Sequence, residues 1–311
     1  MPIDVEKVTS APPVHAPAVW DDREVRLYHL ALGAGVPETD PAELRYVYER
    51  HERGLQVLPT FGVVAGGGGG VGFQVFDLPG MDIDLASVLH GGQEITVHRP
   101  LPAAARGTTV THVPAVHDKG TAAVVVQEST LFDEDGEPLI TQRNHIFVRG
   151  EGGFGGDRGP SARLPAPDRE PDLTAEVPSL RQQALLYRLA GDWNPLHADP
   201  ATARRAGYDR PILHGLCSFG MAVKTVTDRL LGGDAARVTG CRTRFAGVFF
   251  PGETLRLRVW ETDDGYRLTA TAAERDDAPV LTDARITAAP ARAAAPERTA
   301  APERTAPSHE H

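Results

Sequence analysis

Asp192, Asn194 and His197 fall close together in the run Gly191-Asp192-Trp193-Asn194-Pro195-Leu196-His197. A carboxylate and an imidazole that share a water molecule can act as general base and general acid near neutral pH. The spacing suits that task. Gly191 ends a helical pattern and releases Asp192 into irregular backbone, while Pro195 restricts Asn194 to extended geometry. The two ionisable groups can then face one small volume, with the Asn194 amide placed to orient one of them. Taken singly, Asp192 could cap a turn and His197 could be a satisfied core histidine. A polar cluster with a glycine before it and a proline inside it favours a site.

A second group, Pro211-Ile212-Leu213-His214-Gly215, leads directly into an apolar helical pattern. The first N–H groups of a helix have no internal partner and carry the positive end of its dipole. Aimed at a carbonyl oxygen, they would stabilise an enolate-like transition state. Glycine suits such a place because no Cβ blocks the approach. Gly215 reads equally well as the glycine of a tight loop-to-helix turn, and both readings stay open at this point.

The elements that must position these residues follow from periodicity. Ser179 and Gln182 have the spacing of a capping box, opening a helix through Leu185, Leu186 and Leu189 to Gly191. Asp199-Pro200 supplies a cap and an N1 proline for a short helix closed by Gly207. A longer apolar helix is expected from about Leu216 to Gly232-Gly233. Beyond it, segments 254–260 and 266–270 alternate with the period of two of antiparallel strands, as do 123–126 and 139–142 around the turn 133–137. Helices followed by strands within each half indicate an α+β class.

The two halves resemble each other. Leu27-Tyr28-His29-Leu30-Ala31 matches Leu186-Tyr187-Arg188-Leu189-Ala190, and at the same offset Asp40-Pro41-Ala42 matches Asp199-Pro200-Ala201. One residue out of that register, Leu58-x-Thr60-Phe61-Gly62 answers Leu216-x-Ser218-Phe219-Gly220. The repeat sets Gly33 where Asp192 is, Gly35 where Asn194 is, Glu38 where His197 is and Val57 where Gly215 is. The first half is thus expected to keep the fold and lack the chemistry. The expected division is a flexible N-terminus over residues 1–17, a non-catalytic unit over 18–149, a Gly/Pro-rich linker over 150–173, a catalytic unit over 174–288 and a disordered Pro/Ala-rich tail over 289–311.

Composition narrows the function. A net charge of −10 argues against nucleic acid as partner, because such affinity comes from basic patches that neutralise phosphates. No apolar run approaches the ~20 residues of a membrane-spanning helix, and Met1-Pro2-Ile3-Asp4 lacks the order of a secretory signal. Two cysteines imply no disulfide framework, and Cys217 reads as a buried thiol of the core helix. The twelve histidines show no zinc spacing, so no metal is expected. Gly66–Gly70 is not followed by the Lys-Ser/Thr of a phosphate loop; the run reads as an interruption of the first half's core helix that leaves space there. Lysine is rare, which singles out Lys119 in His117-Asp118-Lys119-Gly120, either a hairpin-tip lysine in solvent or a contact for a phosphate.

Tyr187-Arg188-Leu189-Ala190-Gly191-Asp192-Trp193-Asn194-Pro195-Leu196-His197 resembles the signature of the MaoC-like hydratase 2 family, and residues 211–220 are similar to the segment that follows it there. Tyr46-Val47-Tyr48-Glu49, residues 57–62, Leu89-His90-Gly91 and Gly152-Gly153-Phe154-Gly155-Gly156 resemble the hydratase portion of peroxisomal multifunctional enzyme type 2. The likeness spans about residues 18–285. It implies a double hotdog and reversible hydration of trans-2-enoyl-CoA to (3R)-3-hydroxyacyl-CoA, with no metal or redox cofactor, the substrate itself carrying coenzyme A. It implies that Asp192 and His197 form the catalytic dyad, Asn194 supports them and the Gly215 N–H is the oxyanion donor. His90, Gly91, Lys119 and Phe245, with Trp193, Pro195 and Leu196 of the signature, are the implied substrate contacts. The family also implies a homodimer. The chain ends Ser308-His309-Glu310-His311 without a peroxisomal Ser-Lys-Leu, so a cytoplasmic enzyme is expected. Two alternatives remain: a dehydratase working the other way on an acyl-carrier-protein or sterol-type thioester, and a non-catalytic acyl-CoA binder. The second would be expected to lose the dyad.

Overall fold

The computed structural model describes residues 3–66, 78–84, 87–160 and 163–291. Ten strands make a single antiparallel sheet: β1 Val14–Trp20, β2 Val88–Val97, β3 Ala105–Asp118, β4 Ala122–Asp133, β5 Pro138–Arg149, β6 Leu173–Pro178, β7 Val238–Phe245, β8 Thr254–Thr262, β9 Gly265–Ala272 and β10 Ala278–Ala288. Their order across the sheet is β1-β3-β4-β5-β2-β7-β10-β9-β8-β6. Read from either outer edge inward, the two halves have the same sequence of strands, and they meet where β2 pairs antiparallel with β7, from Gly92 opposite Arg244 to Thr96 opposite Gly240. Each half is a hotdog, and the molecule is a double hotdog.

The helices repeat as well. α1 covers Val5–Ser10, α2 Asp22–Ala31, α3 Pro41–Leu44, α4 Gln183–Tyr187, α5 Pro200–Arg205 and α6 Gly215–Leu230. Asp40 caps α3 by accepting the Ala42 N–H at 2.8 Å, and Asp199 caps α5 by accepting the Ala201 and Thr202 N–H groups at 2.9 and 3.0 Å. The same device at both matched positions is what duplication predicts. α6 is the second half's core: Cys217, Phe219, Met221, Ala222, Val223 and Val226 are buried in one cluster with Leu255, Leu257, Leu268 and Ile286 of the sheet. Burying such side chains is worth about 1.5–3 kcal/mol each, which is why an apolar helix and an alternating sheet find each other. In the first half, a short 3-10 turn, Pro59–Val63, stands where α6 begins in the second. Gly67–Gly70 lie outside the described residues, as do residues 292–311 of the tail.

Three sequence expectations require correction. Residues 3–17 are not loose: α1 buries Val8, Ile3 bridges Met81, and β1 pairs with β3 from Val14 opposite Thr111 to Trp20 opposite Ala105. The Pro/Ala composition misled because an edge strand needs few N–H donors and tolerates Pro17. For the same reason β6, ending at Pro178, went unrecognised, so each half begins with a strand rather than a helix. The capping box at Ser179 and Gln182 is absent. The Ser179 hydroxyl instead donates to the Glu253 carbonyl at 2.7 Å, and the helix starts only at Gln183. The capping box that does form is Asp21 with Glu24, at the start of α2.

The connecting segment is irregular but tied down. The Asp118 carboxylate accepts N–H groups from Gly120, Gly153 and Gly155 at 2.7–2.9 Å, and Asp283 accepts from the Leu164 N–H at 2.7 Å. Across the halves, buried Lys224 of α6 reaches Glu43 Oε1 at 2.8 Å and the Tyr46 hydroxyl donates to Asp228 Oδ1, while within α6 Lys224 meets Asp228 Oδ2 at 2.9 Å. No helix among the described residues is long and apolar enough to cross a membrane.

Candidate active site

Asp192 leaves the helical segment at Gly191, whose φ of +116° is a left-handed conformation that glycine adopts without strain. Asn194 then turns the chain: its Oδ1 accepts the Leu196 N–H at 3.0 Å, capping a 3-10 turn from Pro195 to His197. Asp192 Oδ1 accepts the Asn194 N–H at 3.2 Å. His197 is thereby swung inward and buried, with Nδ1 2.9 Å from the carbonyl oxygen of Ile212. A carbonyl can only accept, so Nδ1 carries the proton of the neutral ring and Nε2 keeps its lone pair. Burial holds the His197 pKa below its ordinary value, offset in part by the neighbouring Asp192 carboxylate. The ring is therefore neutral near pH 7, the form a base requires.

His214 packs against this pair. Its ring stacks on His197 with centroids 3.7 Å apart, and its Nε2 lies 3.3 Å from the Asp192 carbonyl oxygen. Burial pushes its pKa down to about 2, so it stays neutral. Donor atoms of Asp192, His197 and His214 lie within 4.8 Å of one another. Sequence spacing gave no hint of this trio. A metal is nevertheless poorly served: one nitrogen of each ring already meets a carbonyl, and stacked imidazoles hold their remaining lone pairs in nearly parallel planes, not converging as a tetrahedral ion asks.

α6 starts at Gly215 with no side-chain cap; its first bonds run from the Cys217 and Ser218 N–H groups to the His214 carbonyl. A Cβ on Gly215 would stand 2.9 Å from carbons of the Phe245 ring. Phe245 in turn meets His90 edge-on, with centroids 4.8 Å apart. Gly91 sits at an irregularity in the β2–β5 pairing, between His90 and Gly92, and a Cβ there would lie 3.0 Å from the His145 carbonyl oxygen. His90, Gly91, His214, Gly215, Ser218 and Phe245 line one cavity of about 770 Å³.

Of the residues singled out from sequence, Asp192, Trp193, Asn194, Leu196, His197, Gly215, His90, Gly91 and Phe245 line that cavity. Trp193 is half exposed and carries Arg188 over its ring at 4.9 Å. Pro195 and Lys119 do not line it. Pro195 only shapes the 3-10 turn, and Lys119 sits in the β3–β4 turn, where its ammonium donates to the Arg158 carbonyl. The cations that do line the cavity are Arg149 and Arg244, at the ends of β5 and β7. Sequence reading missed them because arginine is common here and only the fold brings strand ends to the mouth. His214 was also missed, although it directly precedes Gly215. In the first half, Glu38 is exposed and Gly33 stands at a left-handed turn with φ +88°, so no second acid–base pair forms there. A second cavity of about 740 Å³, between α1, β3 and the connecting segment, holds none of the candidate catalytic or substrate-contact residues, although Phe154, Gly155 and Gly156 of the glycine-rich motif line it.

Residues 19–150 match the family model described as MFE-2 hydratase 2 N-terminal domain, and residues 163–278 match the MaoC like domain. Over 93% of its length the chain is 47% identical to the whole of the Mycobacterium tuberculosis enoyl-CoA hydratase ChsH3. The chain belongs to the MaoC-like hydratase 2 family. It is also 39% identical to the peroxisomal enoyl-CoA hydratase 2 of Arabidopsis thaliana, over 78% of this chain and 82% of that one. Among solved structures, a MaoC-like dehydratase from Phytophthora capsici superposes with a TM-score of 0.83 at 31% identity, covering 93% of this chain and all of the other. Members of this family are hydro-lyases, and this chain is one. The MaoC-like match covers the turn that carries Asp192 and His197 and the start of α6, and the other half contributes residues of β2 and β5 to the same cavity.

Proposed function

We propose that the protein is an (R)-specific 2-enoyl-CoA hydratase, catalysing the reversible hydration of trans-2-enoyl-CoA to (3R)-3-hydroxyacyl-CoA, with Asp192 and His197 as its acid–base pair. The observation that carries this reading is the neutral, buried His197. Its Nε2 lone pair is free and its partner carboxylate lies beside it, on the wall of the cavity that also holds the start of α6.

The chemistry follows from those groups. A water hydrogen-bonded to His197 Nε2 and to the Asp192 carboxylate adds its oxygen to C3. The C2–C3 π pair moves toward the thioester, whose oxygen gains negative charge and is met by the Gly215 N–H at the positive end of α6. One water proton is taken up by the pair and passed to C2, and the other stays on the new hydroxyl. Dehydration is the same path reversed. Water and proton come from one wall of the cavity, which favours addition to a single face and hence one enantiomer. Asn194 acts by fixing the turn that presents both groups. Trp193, Arg149 and Arg244 are placed to meet the coenzyme A portion, the arginines through its phosphates. No step calls for a cofactor. A cytoplasmic homodimer is the setting the family resemblance favours.

The test is to assay the purified protein on trans-2-enoyl-CoA thioesters from crotonyl upward, with chiral analysis of the 3-hydroxyacyl product. The (R) alcohol is expected; an (S) product, or no hydration of any chain length, would overturn the reading.

A further inference from the structure

The inner faces of the two half-sheets differ in a way the duplicated fold does not require. In the second half that face is apolar apart from the buried Thr243, opposite Gln93 at the junction, and it packs on α6 through residues such as Leu257, Leu268, Ala270 and Ile286. In the first half, a band of polar side chains crosses the middle of the corresponding face. Gln93 of β2 lies opposite Asn144 of β5, which lies opposite Gln127 of β4. One row further along, Gln142 of β5 lies opposite Ser129 of β4, which lies opposite Thr111 of β3. All six are buried. The band separates two hydrophobic clusters: Val113, Val125, Ile146 and Val148 on one side, Ile95, Leu131 and Ile140 on the other.

Buried amides and hydroxyls are kept in a protein interior only where something pairs with them. Part of the band pairs with itself: the Thr111 and Ser129 hydroxyls are 2.9 Å apart, and Gln93 Nε2 reaches Gln142 Oε1 at 3.4 Å. Gln93 Oε1, however, is fully buried and meets no donor at hydrogen-bonding distance among the described residues, a polar neighbour of its side chain outside the band being the His90 ring. Gln93, Gln142 and Asn144 all line the cavity that holds Asp192 and His197, alongside the apolar Val63, Val64 and Ile146. The part of the cavity lined by the first half thus sets three amides among mainly apolar side chains.

We propose that the acyl chain this hydratase takes carries a hydroxyl group, remote from the thioester, which Gln93, Gln142 and Asn144 recognise. The inference rests on the hydratase reading above. A hydroxyl is the matching group because it donates as well as accepts: it can give its hydrogen to Gln93 Oε1 and accept from an amide N–H of its neighbours. A ketone could only accept and would leave Gln93 Oε1 unpaired. A plain alkyl chain would displace water from the band and pair with nothing, and sites built to bind a hydroxyl discriminate strongly against the analogue that lacks it.

The test compares trans-2-enoyl-CoA thioesters of equal length that carry a hydroxyl at successive positions along the tail, a ketone at the same positions, or neither. At one hydroxyl position kcat/KM should exceed that of the alkyl thioester by about tenfold or more, with the ketone close to the alkyl chain. Gln93→Leu and Gln142→Leu should erase or invert that ratio, the hydroxylated substrate losing and the alkyl one gaining. Alkyl chains accepted as well as every hydroxylated one, or a preference that survives both substitutions, would overturn the proposal. Crotonyl-CoA, which has only a methyl beyond the double bond, separates the two readings: its hydration without any tail discrimination sinks the hydroxyl proposal alone. Calorimetric binding of saturated hydroxyacyl-CoA and alkanoyl-CoA to the unaltered protein reads the same preference without turnover.

Discussion

His197 and His214 lie face to face, ring centroids 3.7 Å apart and planes 28° from parallel, and only one of them has the geometry of a base. His197 turns Nδ1 to the Ile212 carbonyl and keeps Nε2 beside Asp192, whereas His214 turns Nε2 to the Asp192 backbone and is held neutral by burial. His214 is a positioning residue. His214→Ala should lower kcat by about 10²-fold, the cost of a reactive group displaced by roughly 1 Å, with a smaller change in KM. Steady-state kinetics beside a thermal melt check this. A kcat within twofold of the unaltered protein would remove the role.

Asp192→Asn and His197→Gln should each lose hydration by about 10²–10⁴-fold, the range of a lost acid–base group, while melting near the unaltered protein. Glu38→Gln, at the first-half position matching His197, should leave kcat within about twofold, because Glu38 is exposed and outside the cavity lining. A Glu38 variant as impaired as His197→Gln would mean the inactive half has been misassigned.

The pH dependence has a definite sign. Burial holds the His197 pKa below 6.5, so the acid limb of kcat/KM should have its midpoint below 6.5, activity falling as the ring protonates. A midpoint above 6.5 would assign that limb to another group.

His29 contributes to the loss of stability in acid, in the same direction as the other buried histidines. It is fully buried, donating from Nδ1 to the Tyr46 carbonyl and accepting the Leu58 N–H at Nε2, and burial pushes its pKa down to about 4. The unfolded chain binds a proton here near pH 6.5 that the folded chain refuses until about 4. Its contribution is therefore intact above 6.5 and is lost as pH falls toward 4, up to about 3 kcal/mol in order of magnitude. Urea midpoints at pH 7 and pH 4.5 measure it. His29→Gln, which can donate and accept at once, should flatten the acid slope.

Lys224→Met should destabilise the chain by roughly 1–3 kcal/mol, because it leaves the partly buried Glu43 and Asp228 carboxylates without their cation. Urea unfolding gives the figure. A change below 1 kcal/mol would mean these carboxylates reach water.

Gly215→Ala should cut kcat by about tenfold or more, since the new Cβ would press on Phe245 and shift the start of α6. Turnover equal to the unaltered protein would show that the wall yields.

Much was legible in the sequence because it is local. Gly191, Pro195 and the Asp199-Pro200 cap write their own turn, so the neighbourhood of Asp192, Asn194 and His197 could be read from spacing alone. The duplication was legible too, through Tyr28 and Tyr187 and the paired caps at Asp40 and Asp199. The strands β8 and β9 announced themselves by alternation, while β1 and β6 did not, because an edge strand is held by one neighbour only and leaves a weak pattern.

Tertiary structure alone decided which residues share the cavity. Lys119 and Arg149 are both cations near strand ends, yet only Arg149 lines it, because β5 runs beside β2 at the junction of the halves while the β3–β4 turn does not reach it. The stacking of His214 on His197 and the polar band from Gln93 to Thr111 are likewise invisible in one dimension. The band arises from pairings between strands up to 51 residues apart, as in Gln93 with Asn144, and the stacking from the 3-10 turn at His197 meeting the residue that precedes α6. The sequence by itself determined which carboxylate and imidazole share a turn, since the six residues from Asp192 to His197 form it. The environment that sets the pair's protonation, and the shape of what it acts upon, had to wait for the two halves to close their sheet at β2 and β7.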